Sequence, residues 1–252
     1  MLKSLPSQLF ILLLFLLPQS FLLAQKQEVK QNYQTILFNA GKMIEMFHYE
    51  PKPFNDSFSS RLYHEYFRTL DPSSMIFLQS DLDQLRHFEF QLDDEIKGKG
   101  AQFFLSVNSI YLQRIHEAKE FCDDLLKMPI NTSSQKVYDG NRRNKPFPKN
   151  ADEKKELWEL LIRYRLLNQL EDLIEANNKD SVKVSEDSLE KRARALVTTI
   201  QERYFNGLIK KTTEEEAFSS YVNTLTNLFD PHSSYFLPVD RRGFQEGMSG
   251  VY

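Results

Sequence analysis

Apolar residues recur along most of the chain at three- and four-residue steps, the period of an amphipathic helix, and alternating strand-like runs are scarce. From Tyr33 to Phe47 one face collects Ile36, Leu37, Ala40, Met43, Ile44 and Phe47, before Pro51 and Pro53 end the pattern. Asn55 or Asp56 is placed to cap a second helix, in which Phe58, Leu62, Tyr66 and Leu70 recur every four residues. Ser80 opens a third, burying Leu82, Leu85, Leu92 and Ile96, up to a break at Gly98-Lys99-Gly100. A long helix is predicted from Ala101 to Lys127, its apolar face including Phe103, Phe104, Val107, Tyr111, Ile115 and Cys122. Another runs from Asp152 to Asn177, with Leu157, Trp158, Leu161, Ile162, Leu170, Leu173 and Ile174 toward the core. Ser185 begins a helix through Ala193, Leu196, Ile200 and Tyr204, with Phe205-Asn206-Gly207 as its stop. Thr213 to Glu216 form a capping box before a last long helix faced by Phe218, Tyr221, Val222, Leu225 and Phe229. The fold class is therefore all-α, a domain of roughly six to eight helices.

One short stretch occurs twice in this frame. Asp71-Pro72-Ser73-Ser74-Met75-Ile76-Phe77-Leu78-Gln79-Ser80-Asp81 aligns without a gap to Asp230-Pro231-His232-Ser233-Ser234-Tyr235-Phe236-Leu237-Pro238-Val239-Asp240, with six of eleven positions identical. A residue before proline is pushed out of the α region, so the preceding helices are expected to end at Leu70 and Phe229. Ser80 or Asp81, and Asp240 at the equivalent place, can cap the next helix. Both copies read as structural elbows: Asp71, Pro72, Asp230 and Pro231 turn the chain, and Phe77, Leu78, Phe236 and Leu237 point into the core.

Composition narrows the picture. A chain of 252 residues holds one large domain or two small ones, and 20 Phe and 11 Tyr make an aromatic core. A formal net charge of −3 gives no reason to expect nucleic-acid binding. Lys3, the apolar run Leu9–Leu17, Pro18 and Ala24 read as a secretory signal peptide over residues 1–24, cut near Ala24-Gln25. Membrane contact is then expected only through that leader before cleavage, the alternative being an uncleaved anchor. The single cysteine, Cys122, excludes an internal disulfide and fits a helix face. Residues 129–150 are proline-bearing and basic, with Lys136, Arg142, Arg143, Lys145 and Lys149. They read as a solvated loop, with a contact strip for an acidic partner as the alternative. Gly243, Gly247 and Gly250 crowd the end of a glycine-poor chain, so residues 246–252 are expected to begin a further domain.

Candidate chemistry is thin. Asp230, His232, Ser233 and Ser234 are the residue types of a hydrolytic triad, but neighbours on one extended segment rarely place a base between nucleophile and acid, so a hydrolase built on His232 and Ser233 is the weakest reading. Asp and Ser after a helix bond nearby backbone instead. His48, His64, His87 and His116 fall on separate predicted helices without metal-ligand spacing, and no glycine-rich phosphate loop is present. No catalytic, cofactor or metal residue is assigned.

The run from His48 to Ser59, then Leu70-Asp71-Pro72, then Ile76 to Leu82, resembles the opening of tail-specific proteases, also called carboxyl-terminal processing peptidases. Leu228 to Tyr235 resembles the segment closing their helical N-terminal domain. The resemblance implies that residues 25–245 form that domain, in an exported bacterial protein that is periplasmic in Gram-negative cells. It implies a PDZ domain and a serine–lysine protease core beyond this chain, so that no family catalytic residue has a position here. The expected role is non-catalytic: admitting or positioning unfolded protein tails for the PDZ and protease domains, with a periplasmic adaptor as a further partner. The alternative is a free-standing periplasmic helical module that binds a protein.

Overall fold

The computed structural model describes residues 33–128, 136–237 and 241–249. The expected leader, Pro129 in the basic loop, and the second elbow's Pro238 to Asp240 lie outside the described residues. Among the described residues there are helices and no strands. They are α1 (33–47), α2 (Asp56–Leu70), α3 (Gln79–Leu85), the single turn α4 (Leu92–Asp94), α5 (Gln102–Leu125), α6 (Ala151–Lys179), α7 (Glu186–Lys210), α8 (Glu214–Asn227) and α9 (Arg241–Ser249). None of these helices is long and apolar enough to cross a membrane.

α5 is the hub. Its apolar face is wide enough to touch α3, α6, α7 and α8, and seven of its residues from Phe103 to Cys122 are buried. Its first turns meet α2 and α8 in a cluster of rings: Phe103 lies 5.5 Å from Tyr63, 5.8 Å from Tyr66 and 5.7 Å from Tyr221. These are the separations at which edge and tilted ring contacts are attractive. Its later turns meet α6 and α7. α7 runs antiparallel to it: the Arg194 guanidinium donates to the Leu126 carbonyl, while Asn108 Nδ2 donates to the Thr212 carbonyl at the other end. Cys122 is buried here, and burial pushes its thiol up to about 12.

α1 packs across the break before α5. Gly41 sits so close to Ile96 that an added Cβ would lie 2.5 Å from its side chain. Gly98 adopts φ +100 against the Phe38 ring, a backbone region that favours glycine. Gln34 Nε2 donates to the Gly98 carbonyl.

Several boundaries differ from the sequence expectation. The third helix is broken into α3, a 3-10 turn at Arg86–Phe88, α4 and a wide turn at Glu95–Lys99. Asn150 caps α6, where Asp152 was expected, and its side chain accepts from Glu153 N. Gly207 does not stop α7, which continues to Lys210, because one glycine weakens a helix without ending it. The glycine-bearing C-terminal stretch is the helix α9.

The buried stripe of α7 is Leu189, Ala193, Val197, Gln201 and Phe205. It is displaced by one residue from the expected Leu196, Ile200 and Tyr204, which are exposed. Gln201 hid the true stripe; its side-chain carbonyl accepts from Arg165 on α6, while its Nε2 is buried without a partner among the described residues. Likewise Met43 and Phe47 on α1 and Ile174 on α6 are exposed, since those helix ends run past the core.

At the elbows, Phe77 is fully buried and Leu78 and Leu237 are buried, but Phe236 is 51% exposed. The expectation for Phe236 is thereby corrected. Phe77 packs 5.0 Å from Phe67 and 5.1 Å from Tyr111, between α2 and α5, whereas about half of Phe236 meets solvent. Phe77→Ala is expected to cost about 3–5 kcal/mol, the range for a well-packed core Phe. Phe236→Ala should stay within about 1 kcal/mol, because its ring already meets solvent. Chemical denaturation of both variants beside the parent checks this; equal losses would place Phe236 in the core.

Candidate functional site

Asp71 stops α2 because Pro72 forbids the helical conformation before it, and its own N–H still closes the last turn on the Phe67 carbonyl. The carboxylate then folds inward. It accepts from Met75 N at 3.0 Å, Ile76 N at 2.7 Å and Phe77 N at 3.1 Å. Burial pushes its carboxyl above the usual range, and the three amides pull the other way. The carbonyls of the same loop are taken by long-range donors. Trp158 Nε1 on α6 donates to Met75 O at 2.8 Å, and Lys154 Nζ to Ile76 O at 3.3 Å. Tyr111 OH donates to Leu70 O at 2.8 Å.

The next helix start is tied in the same way. Asp81 receives Leu78 N at 2.8 Å, so it caps as the third helical residue and not as the N-cap. Its two oxygens also take a bidentate pair from Arg114 on α5, at 2.9 and 2.8 Å, which is the strong geometry for this ion pair. That contact raises the Arg114 guanidinium further above its ordinary value. Arg114 in turn holds Glu117, which lies 3.2 Å from Lys154. Burial pulls the Lys154 ammonium below the usual lysine range.

The 142–149 segment is fastened onto this elbow. Ser74 Oγ donates to Lys145 O at 2.9 Å, Arg142 Nε to Ser73 O at 3.0 Å and Gln79 N to Pro148 O at 2.8 Å. Ser74 and Asn144 both hold positive φ, at 51 and 63.

The second elbow is built more loosely. Asp230 accepts from His232 N at 3.0 Å and from Ser233 Oγ at 3.2 Å. Those bonds hold its carboxyl below the usual range. The main support comes from α8, where Asn223 accepts from Tyr235 N at 2.7 Å and donates to Tyr235 O at 3.1 Å. The serine hydroxyl is thus bonded to the acid directly, and the His232 imidazole takes part in neither bond. This arrangement turns a chain; it does not relay a proton from nucleophile to base.

The remaining histidines are dispersed. His48 packs 5.5 Å from Phe229, His64 lies 3.2 Å from Glu89, and the His87 ring lies tilted 4.2 Å from Phe88. Among the described residues no group of three His, Cys, Asp or Glu could hold a metal ion. Sequence reasoning missed Arg114, Lys154, Trp158 as a donor, and Asn223. The available signal was a charged residue on an apolar face: Arg114 between Tyr111 and Ile115, and Lys154 one turn before Trp158.

The two elbows predict different costs. Asp71→Ala leaves three buried amides without an acceptor and is expected to cost about 3 kcal/mol or more. Asp230→Ala, with its donors near solvent, should cost about 1 kcal/mol or less. Urea midpoints of the two variants decide between this order and its reverse.

Residues 41–239 match the family described as the tail specific protease N-terminal domain. The chain is also similar to a protein called tail-specific protease from Haemophilus influenzae, 22% identical over 225 residues. That alignment takes in 88% of this chain and 30% of the relative, so the chain spans less than a third of the length of the protein it matches.

Proposed function

Because the chain belongs to the family of tail-specific protease N-terminal domains, we propose that it is the non-catalytic helical part of an exported carboxyl-terminal processing serine protease. In this role it helps to admit or position unfolded protein substrates for PDZ and protease domains. The observation that carries the reading is the extent of the family match, which runs from α1 to the second elbow. The chemistry agrees with it, since Ser233 is bonded to Asp230 and not to a base. Exposed Met43, Met46, Phe47 and Tyr49 at the end of α1 give an apolar surface on which those further domains can pack. The same surface favours a second reading, a free-standing periplasmic module that binds a protein.

The purified chain should bind an unfolded, carboxymethylated protein with an apolar C-terminus and should not hydrolyse it. Turnover that disappears in Ser233→Ala or His232→Ala would overturn the non-catalytic role. Export is tested separately. N-terminal sequencing of the protein from a periplasmic fraction should begin at Gln25; retention of residues 1–24 in cytoplasmic material would count against export.

A further inference from the structure

Three clefts meet end to end beside the first elbow. The central one, about 480 Å³, lies between α2, the elbow and the fastened 142–149 loop. It shares His64, Glu65 and Arg68 with a second, about 450 Å³, which reaches Leu228 next to the second elbow. It shares Lys145, Pro146 and Phe147 with a third, about 390 Å³, which reaches Leu157 and Leu160 on α6. The three clefts are distinct but adjoining, and through these shared wall residues they form a line, a segmented groove, that passes both elbow regions.

The groove is positive in a chain whose net charge is −3. Its walls carry Arg61, Arg68, Arg142, Arg143, Lys145 and Lys149, against the three acids Glu65, Glu153 and Glu156. Two of the cations are held loosely or not at all. Arg68 has only a long, 4.0 Å ion pair with Glu65, beyond hydrogen-bond distance. Arg143 is exposed and, among the described residues, its side chain has no ion pair or hydrogen bond. The wall that carries Arg143 is held by the Ser74, Arg142 and Gln79 bonds, so its cations are presented from an ordered backbone. Binding there avoids the cost of ordering a loose loop.

From this geometry we propose that the groove binds an extended, acidic stretch of polypeptide. A peptide can set carboxylates against the arginines while apolar side chains meet Pro146, Phe147 and Leu228. A phosphate polymer would instead carry its charge without interruption past the three glutamates. Such a site stands independently of any protease attached to the domain.

The test is fluorescence anisotropy of the full chain with a labelled peptide of alternating glutamate and valine, beside the same peptide with glutamine. The glutamate peptide should bind saturably and weaken as salt is raised. The glutamine peptide, and an Arg68→Glu/Arg143→Glu double variant with the glutamate peptide, should each bind about tenfold more weakly. Lys191→Glu/Arg192→Glu, an equal charge change on exposed α7, should leave binding as it was. If the double reversal lowers the melting midpoint, Arg68→Gln/Arg143→Gln carries the same expectation. No saturable binding, equal binding of the glutamine peptide, or equal weakening by the α7 variant overturns the proposal. So does a single-stranded oligonucleotide that binds more tightly than the peptide and is released by the groove variant.

Discussion

The carboxylate of Asp71 is buried among apolar residues, and it stays there because three consecutive backbone amides point at it. Taking an ion out of water costs several kcal/mol in a real protein, so the site survives only if its donors are fixed in place. Here the donors are the residues just after the turn. The same bonds that satisfy Asp71 therefore hold Met75, Ile76 and Phe77 in one conformation. Phe77 is driven between α2 and α5, and the chain emerges at Leu78 positioned for Asp81 to cap α3 and meet Arg114. Trp158 and Lys154 close the outer side of the loop from α6. Three elements separated by long stretches of sequence thus converge on one turn.

The second elbow shows what the shared sequence does and does not determine. α2 ends at Asp-Pro, because the steric restriction before proline is local and needs no partner. α8 stops at Asn227, short of the expected Phe229, and passes through a turn in which Asp230 N still closes on the Thr226 carbonyl. Burial is not local. Asp71 has Trp158, Lys154 and Tyr111 around its loop, while the Asp230 segment is supported chiefly by Asn223 of α8. Equivalent phenylalanines end in opposite environments, Phe77 in the core and Phe236 at the surface. A repeated motif gives repeated turns, and its neighbours decide which of them becomes a core joint.

The same division explains how much was legible in the sequence. The helices were, because their apolar positions recur at the right step; the repeat did not reveal that Phe236 stays at the surface. α7 was read one residue out of register, since its buried stripe includes Gln201, whose partner Arg165 is on another helix. Arg114, Lys154 and Asn223 were overlooked for a related reason. Each is polar on a face that should be apolar, and its meaning lies in a partner distant in sequence or on the far side of a turn. Periodicity reports which side of a helix faces inward; it carries no information about which backbone group will be waiting there.

Two kinds of arginine surround the first elbow, and their environments separate structure from recognition. Arg114 is mostly buried, bidentate to Asp81 and bonded to Glu117, so its donors are spent on holding α5 against α3. Arg143 faces water from the groove wall unpaired, and Arg68 does so with only a long, exposed ion pair to Glu65. An exposed cation costs the fold little to leave unpaired, because water solvates it, and surface ion pairs add little stability. The fixed part is the backbone that aims it. Ser74 and Asn144 hold left-handed conformations that ordinary residues adopt at a cost, and this cost is borne where the elbow fastens the 142–149 segment. A loop that served only as a connection would need neither that strain nor three ties to a buried turn. Together they give a rigid wall with free positive charge, which is what recognition of an extended acidic chain requires.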